Sequence, residues 1–115
     1  MRYLLLIYED ESHWASLPAE ERRRQIAGYD AVRTLAQARG QLVAADGLAG
    51  VAHARTVRRR NGMVAVTDGP FAETKEALGG FYLVDCSEAE ALAYAEAVPA
   101  VEAGSVEVRP VGVPH

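Results

Sequence analysis

The chain has 115 residues, of which 50% are hydrophobic and 24% are charged, and its formal net charge is −4. This length predicts one domain with an ordinary core, and the apolar share excludes wholesale disorder. The acidity disfavours direct nucleic-acid binding, the single cysteine excludes an intrachain disulfide and is typical of a cytoplasmic protein, and no apolar run reaches the roughly 18–20 residues of a membrane span.

The first predicted element is a buried strand over residues 2–8. Both of its faces are apolar, with Tyr3, Leu5 and Ile7 on one and Leu4, Leu6 and Tyr8 on the other. An acidic loop over residues 9–16 follows, and it contains His13 and Trp14.

The first predicted helix begins after Ser16, which is a helix-cap residue, with Pro18 in the first turn. It extends to about Arg39 and ends at Gly40. Apolar side chains at helical spacing predict its buried face, namely Ile26, Tyr29, Val32 and Ala36.

The middle of the chain predicts short strands separated by turns. Residues 41–58 form either one bent strand or two short ones, and the dipeptide Asn61-Gly62 predicts a hairpin that joins 56–58 to 63–67. A loop from Asp68 to Leu78 leads to a second strand, residues 81–86, which is also apolar on both faces.

The last part of the chain predicts a helix and a strand. Ser87 and Glu90 form the pattern of a capping box, and the helix that they open ends at Pro99. A loop over 100–104 precedes a final strand at 106–109. The resulting order, β-α-β-β-β-α-β, predicts an α+β ferredoxin-like sandwich with both helices on one face of an antiparallel sheet.

The apolar second face of strands 2–8 and 81–86 needs a cover, because monomers seldom expose a patch of several hundred Å². A two-fold homodimer provides this cover, and we expect it in preference to the alternative. In the alternative, the loops at 9–16 and 68–78 cover the face of a monomer.

The densest motif runs from Thr67 to Glu76, with the sequence TDGPFAETKE, and LGGFY follows at residues 78–82. Together with the first and last strands, it resembles the signature of the DGPF branch of the YCII-related family. The resemblance covers nearly the whole chain, and it implies a dimeric α+β barrel of ferredoxin-like protomers.

The resemblance leaves the function open between two classes. One is a small-molecule enzyme with acid/base chemistry of the lyase or isomerase type in a barrel cleft. The alternative is a non-catalytic regulatory or ligand-binding module, which the resemblance links to an extracytoplasmic-function sigma factor. A scaffold with a vestigial site is a third hypothesis. No cofactor is expected.

Several candidate site residues lie in the part of the motif from Asp68 to Glu76, which we call the motif loop. Asp68 is either a turn cap or a catalytic carboxylate at the end of a strand, and both interpretations stay open. Lys75 and Arg109 are candidate binders of an anionic substrate, and Glu73 is a further candidate for substrate contact. Phe71 is predicted to insert into the core.

The remaining candidates come from the strands and the first loop. His13 is the second candidate for acid/base catalysis, with a solvent-exposed loop histidine as its alternative. Tyr8 and Tyr82 are predicted either to line the cleft or to pack in the core. His53 and His115 are weaker candidates, and three scattered histidines predict no metal site. Cys86 is predicted to be a small core residue.

Overall fold

A computed structural model describes residues 1–114. In chain order its elements are β1 (Arg2–Glu9), α1 (Glu11–Ser16), α2 (Ala19–Ala38), β2 (Leu42–Gly47), a 3-10 helix (Val51–His53), β3 (Arg55–Arg60), β4 (Met63–Asp68), β5 (Ala77–Asp85), α3 (Glu88–Ala97), α4 (Ala100–Ala103) and β6 (Ser105–Pro110). None of the helices in this range is both long and apolar enough to cross a membrane.

The main sheet has four antiparallel strands in the order β2-β5-β1-β6. The two central strands are β1 and β5, the ones that the sequence predicts to be apolar on both faces. This order, with helices after β1 and β5, confirms the predicted ferredoxin-like α+β fold.

The core lies between one face of this sheet and the helices. Leu5 and Val84 of the central strands and Val98 at the end of α3 are fully buried. They pack with small residues of the helices, such as Ala36 and Ala91, in a single cluster. Small helix residues let the helices lie close to the sheet, which fits the 18 Å thickness of the molecule.

Within residues 1–114, the opposite face of the sheet carries no helix. Leu4 and Leu6 of β1 lie beside Leu83 and Phe81 of β5, and all four side chains remain partly accessible. The face is therefore apolar and only half buried in a single chain.

Strands β3 and β4 form a separate two-stranded sheet, which we call the arm (residues 55–68). Every residue of β4 is exposed, and Val66 retains 57% of its accessible surface. The radius of gyration is 16.0 Å, compared with about 13 Å for a compact domain of this length. The arm thus projects from the body instead of joining the main sheet.

Several local predictions are confirmed. Gly40 ends α2 with a positive φ of 67°, and Asn61 and Gly62 form the hairpin turn with φ of 52° and 74°. Ser87 and Glu90 form a complete capping box at α3. Hydrogen bonds from Gln41 and from this cap lower the pKa of Glu90 to about 2.

Two predicted loops are wrong, because each contains a short helix. Residues 11–16 form α1, since the Asp10 carboxylate accepts a hydrogen bond from the Ser12 main chain at 3.0 Å and caps the first turn. Ser16 therefore belongs to α1 and does not cap α2, whose cap position is Pro18. Residues 100–103 form α4, which ends at Gly104.

Candidate functional site

The main cavity has a volume of about 540 Å³ and lies on the helix side of the sheet, where β1 ends. Its walls come from β1, α1, α2, the end of β2 and the start of β5. The lining is mostly apolar and includes Ile7, Trp14, Ile26, Ala45 and Leu48. A cavity of this size with a few polar groups is typical of a small-molecule site.

The glycine pair Gly79-Gly80 shapes the floor of this cavity. Gly79 is the extra residue of a β-bulge, because Ile7 pairs with Gly80 while Tyr8 pairs with Leu78. A Cβ atom on Gly80 would lie 3.0 Å from the main-chain oxygen of Asp46. The absence of side chains at this bulge lets β2 and β5 approach closely and keeps the space above them open.

A tyrosine and a carboxylate form a hydrogen-bonded pair in the wall. The Tyr29 hydroxyl, on α2, donates to Oε1 of Glu9, at the end of β1. Burial raises the pKa of Tyr29 far above its ordinary value, and the bond to Glu9 raises it further. Tyr29 is therefore a neutral donor at all physiological pH values, and it fixes one oxygen of the carboxylate. In the described part of the chain, Oε2 of Glu9 accepts no hydrogen bond.

Tyr82, on β5, holds the main chain of α2 at Tyr29 by a hydrogen bond. Its hydroxyl donates to the main-chain oxygen of Tyr29 at 2.8 Å, and its ring is 4% exposed. Burial raises the pKa of Tyr82 to about 12, while Arg33 lowers it and Asp30 raises it. The bond ties α2 to β5 and so holds Tyr29 in register with Glu9.

Two further charged residues lie at the cavity. The Glu11 carboxylate, on α1, accepts a hydrogen bond from the Val51 main chain at 2.8 Å, which joins α1 to the segment after β2. Arg33, on α2, donates to the main-chain oxygen of Ala45 at 3.3 Å. Arg33 is the basic residue of the lining, against the acidic residues Glu9, Glu11 and Asp46.

The structure places the residues predicted from the strands and the first loop in different regions. Tyr82 lines the cavity. Tyr8 does not, because it alternates with Ile7 and lies on the helix-free face. His13 is exposed on α1 and does not line the cavity, although its neighbour Trp14 does.

The motif loop and the last strand also lie outside the cavity lining. Asp68 is 91% exposed, and its carboxylate lies 3.6 Å from Nε of Arg55 across the arm. Glu73 and Lys75 are exposed, and the charge of Lys75 contributes to a lowered pKa of Asp10 after the hydrogen bonds from Ser12. Arg109, a predicted binder of an anionic substrate, pairs with Glu107 of its own strand at 2.7 Å.

Other predicted roles can be compared directly with the structure. The prediction that Phe71 inserts into the core is wrong, because its side chain is 79% exposed beside the arm. Cys86 packs against the core as predicted, and burial raises the pKa of its thiol. His53 is exposed in the 3-10 helix, and His115 lies outside the described residues. Residues 1–114 contain no cluster of potential ligands that could hold a metal ion.

Glu9, Glu11 and Tyr29 line the cavity but carry no sequence pattern that predicts a site. The two glutamates belong to an acidic run that is typical of a solvated loop, and Tyr29 was assigned to the core face of α2. The glycine pair at residues 79–80 was the available signal, since glycines inside a strand indicate a bulge or a close approach.

Comparison with known proteins agrees with the fold. The sequence matches the YCII-related domain over residues 1–113. It is also 40% identical over 116 residues to an uncharacterised protein of Rhizobium meliloti (strain 1021), a match that spans 98% of this chain and 94% of the relative. A match of this extent, on a chain with the ferredoxin-like arrangement described above, shows that the protein belongs to the YCII-related family.

Proposed function

We propose that the protein binds a small, mostly apolar molecule in the cavity and that Glu9 exchanges a proton with it. The observation that carries this proposal is the Glu9–Tyr29 pair in the wall of an apolar cavity of about 540 Å³. The chemistry is the acid/base class expected from the family resemblance, but the acting carboxylate is Glu9 and not Asp68.

The geometry assigns separate tasks to the two partners. Tyr29 donates to Oε1 of Glu9, which orients the carboxylate and leaves Oε2 for the ligand. A carboxylate oriented by a neutral donor in an apolar cavity is suited to act as a general base. Glu9 would accept a proton from the ligand and return it either to the same atom, which exchanges that proton with solvent, or to a neighbouring atom, which isomerises the ligand.

Solvent exposure makes Asp68 and Lys75 weaker candidates than Glu9 for catalysis and substrate binding. An exposed carboxylate gains little from its surroundings, because water screens its charge and competes for its hydrogen bonds. Asp68 is almost fully exposed, and Lys75 and His13 are exposed as well. Their predicted catalytic and binding roles remain open to the same experiment.

The test combines a small-molecule screen by thermal shift with four variants. Glu9→Gln and Tyr29→Phe keep the shape of the cavity wall, whereas Asp68→Asn and Lys75→Ala change the motif loop. For a compound that stabilises the wild type, we expect solvent deuterium to enter the compound. We expect that exchange to fall by about 100-fold or more in Glu9→Gln and to persist in Asp68→Asn.

Two outcomes would contradict the proposal. One is a screen in which no compound stabilises the wild type. The other is a bound compound whose exchange survives Glu9→Gln but is lost in Asp68→Asn, which would return catalysis to the motif loop. The regulatory alternative is association with an extracytoplasmic-function sigma factor, which does not require the hydrogen bond between Glu9 and Tyr29. It predicts that neither Glu9→Gln nor Tyr29→Phe alters function.

We further propose that the protein is a homodimer of the DGPF branch, with the helix-free faces of two sheets packed together. Three features support the dimer: the apolar face around Leu6 and Leu83, the exposed apolar side chains of the arm, and the exposed Phe71 beside it. A second copy would bury all three at once.

Light scattering after gel filtration tests the dimer. We expect twice the mass of one chain for the wild type and a single-chain mass for Leu83→Asp. Val66→Asp, on the exposed arm, is a second variant that does not disturb the core of the single chain. Leu92→Asp, on the exposed side of α3, is the matched control and should remain dimeric. A wild type of single-chain mass would contradict the proposal and favour a monomer.

A further inference from the structure

We infer that the ligand of the cavity carries a positive charge, as a protonated amine on an apolar, preferably aromatic, body. This inference rests on the proposed function, since it specifies the ligand of the same cavity. It assigns to Glu11 the binding of the ammonium group and leaves proton exchange to Glu9.

Acidic side chains outnumber basic ones in the lining of the cavity. Glu9 and Glu11 line it, and no ion pair involves either of them within residues 1–114. Arg33 is the basic residue of the lining, and Asp30 opposes its effect on the neighbouring Tyr82 hydroxyl. Glu9, Glu11 and Asp46 therefore give the cavity an excess of negative charge over Arg33. Glu11 is exposed and Glu9 is half-buried, so salt screens the attraction between these carboxylates and a bound cation.

Glu11 is exposed, so a ligand can reach its carboxylate. One of its oxygens accepts the bond from the Val51 main chain, and the other has no hydrogen-bond donor in the described structure. Gly50 faces this carboxylate: a Cβ atom there would lie 3.3 Å from Oε1 and 3.5 Å from Oε2. Glycine thus leaves the carboxylate uncovered at the cavity.

Part of the cavity lining is aromatic. Trp14, from the same helix as Glu11, and Tyr29 both border the cavity. Aromatic faces attract cations by their quadrupole and also pack against apolar groups. An arylalkylamine satisfies both the aromatic and the acidic parts of the wall, whereas a carboxylate ligand would face Glu9, Glu11 and Asp46 with Arg33 as the basic side chain of the lining.

The test compares three probes with the same aromatic body and different charges: 2-phenylethylamine, 2-phenylethanol and phenylacetate. Isothermal titration should give an amine affinity about 10-fold above that of the alcohol and weakest binding for phenylacetate. Raising the salt concentration should weaken binding of the amine and leave the alcohol unchanged, because salt screens only the charged ligand.

Glu11→Gln removes the charge and keeps an oxygen that accepts the Val51 bond. We expect it to weaken amine binding by about 3- to 10-fold and to change alcohol binding by less than about 2-fold. Glu96→Gln makes the same change at an exposed site on α3 outside the cavity lining, and it should leave both affinities unaltered. Circular dichroism of each variant confirms that it is folded, and the salt series on the wild type gives an answer independent of the variants.

The outcomes separate this inference from the proposed function. Equal affinity for the amine and the alcohol, or tighter binding of phenylacetate, overturns the cationic ligand but keeps the cavity as a binding site. An amine preference that survives Glu11→Gln overturns the role of Glu11. Binding of none of the three probes contradicts both the inference and the proposed function.

Discussion

Replacing Ala45 by leucine should stabilise the protein and at the same time block the cavity. Ala45 lies on β2 opposite Tyr82, packs against the edge of the core and lines the cavity. The substitution adds three carbon atoms, worth up to about 2.4 kcal/mol if fully buried at about 0.8 kcal/mol each. Ordering the leucine side chain costs about 0.5–1 kcal/mol, and burial at an open cavity is incomplete. We therefore expect a gain of about 1 kcal/mol.

Ala91→Leu is the matched control, because the same three carbons would enter a site with no space. Ala91 is fully buried in the core between α3 and the sheet. Overpacking at such a site costs about 1–3 kcal/mol. The two variants should therefore change stability in opposite directions.

Urea unfolding and thermal melts measure both variants. For a chain of this size, a gain of 1 kcal/mol raises Tm by about 4 °C. Ala45→Leu should also weaken any ligand of the cavity by about 10-fold or more, since the side chain occupies its volume. If Ala45→Leu destabilises the protein as much as Ala91→Leu does, there is no open cavity at this position and the reasoning is refuted.

Four further substitutions test predictions of stability. Gly104→Ala should cost about 3 kcal/mol, because its Cβ atom would lie 2.1 Å from the main-chain oxygen of Tyr8. Gly40→Ala, in open space with a positive φ, should cost only about 1 kcal/mol in the same melts. The low pKa of Glu90, about 2, predicts that the Glu90 carboxylate stabilises the protein above about pH 4.5 and that this contribution is lost as the pH falls toward 2. In urea unfolding, the midpoint of the wild type should fall over this pH range more than the midpoint of Glu90→Gln. The raised pKa of Tyr82, about 12, predicts a contribution that is present below pH 10 and lost as the pH rises toward 12, and Tyr82→Phe should flatten that alkaline limb.

Most helices and strands of the fold could be predicted, because short sequence patterns mark where they begin, turn or end. The pair Ser87 and Glu90 satisfies two main-chain donors of a helix start, and Asn61-Gly62 supplies the two positive φ values of a tight hairpin turn. Helix α1 was not predicted, because its six residues are too few to show apolar residues at helical spacing. The side chain of Asp10 caps its first turn.

The arm shows a second limit of local patterns. Its strands and turn are predicted correctly, but whether a hairpin joins the main sheet depends on which edges are free. In the structure, β2 takes the place beside β5, so β3 and β4 pair only with each other. The alternation of apolar residues in β4 is the same in both arrangements.

The candidate site was less predictable than the fold. Glu9 and Tyr29 are 20 residues apart in sequence, and their bond depends on the packing of α2 against the end of β1. The bulge at Gly79, which lines the cavity, shifts the register between β1 and β5. The bond between Glu9 and Tyr29 leaves no local pattern, and the glycine pair indicates a bulge without showing which residues surround it. The conspicuous motif from Asp68 to Glu76, by contrast, lies outside the cavity lining.

The most direct test of the central claim is an amide NMR titration of the protein with 2-phenylethylamine and 2-phenylethanol. If the ligand binds in the cavity, the largest changes in amide chemical shift should fall on residues 47–50 and 79–82. The amide shifts of the arm and of residues 68–76 should change little. Shifts confined to residues 68–76, or no shifts with either compound, would contradict the central claim.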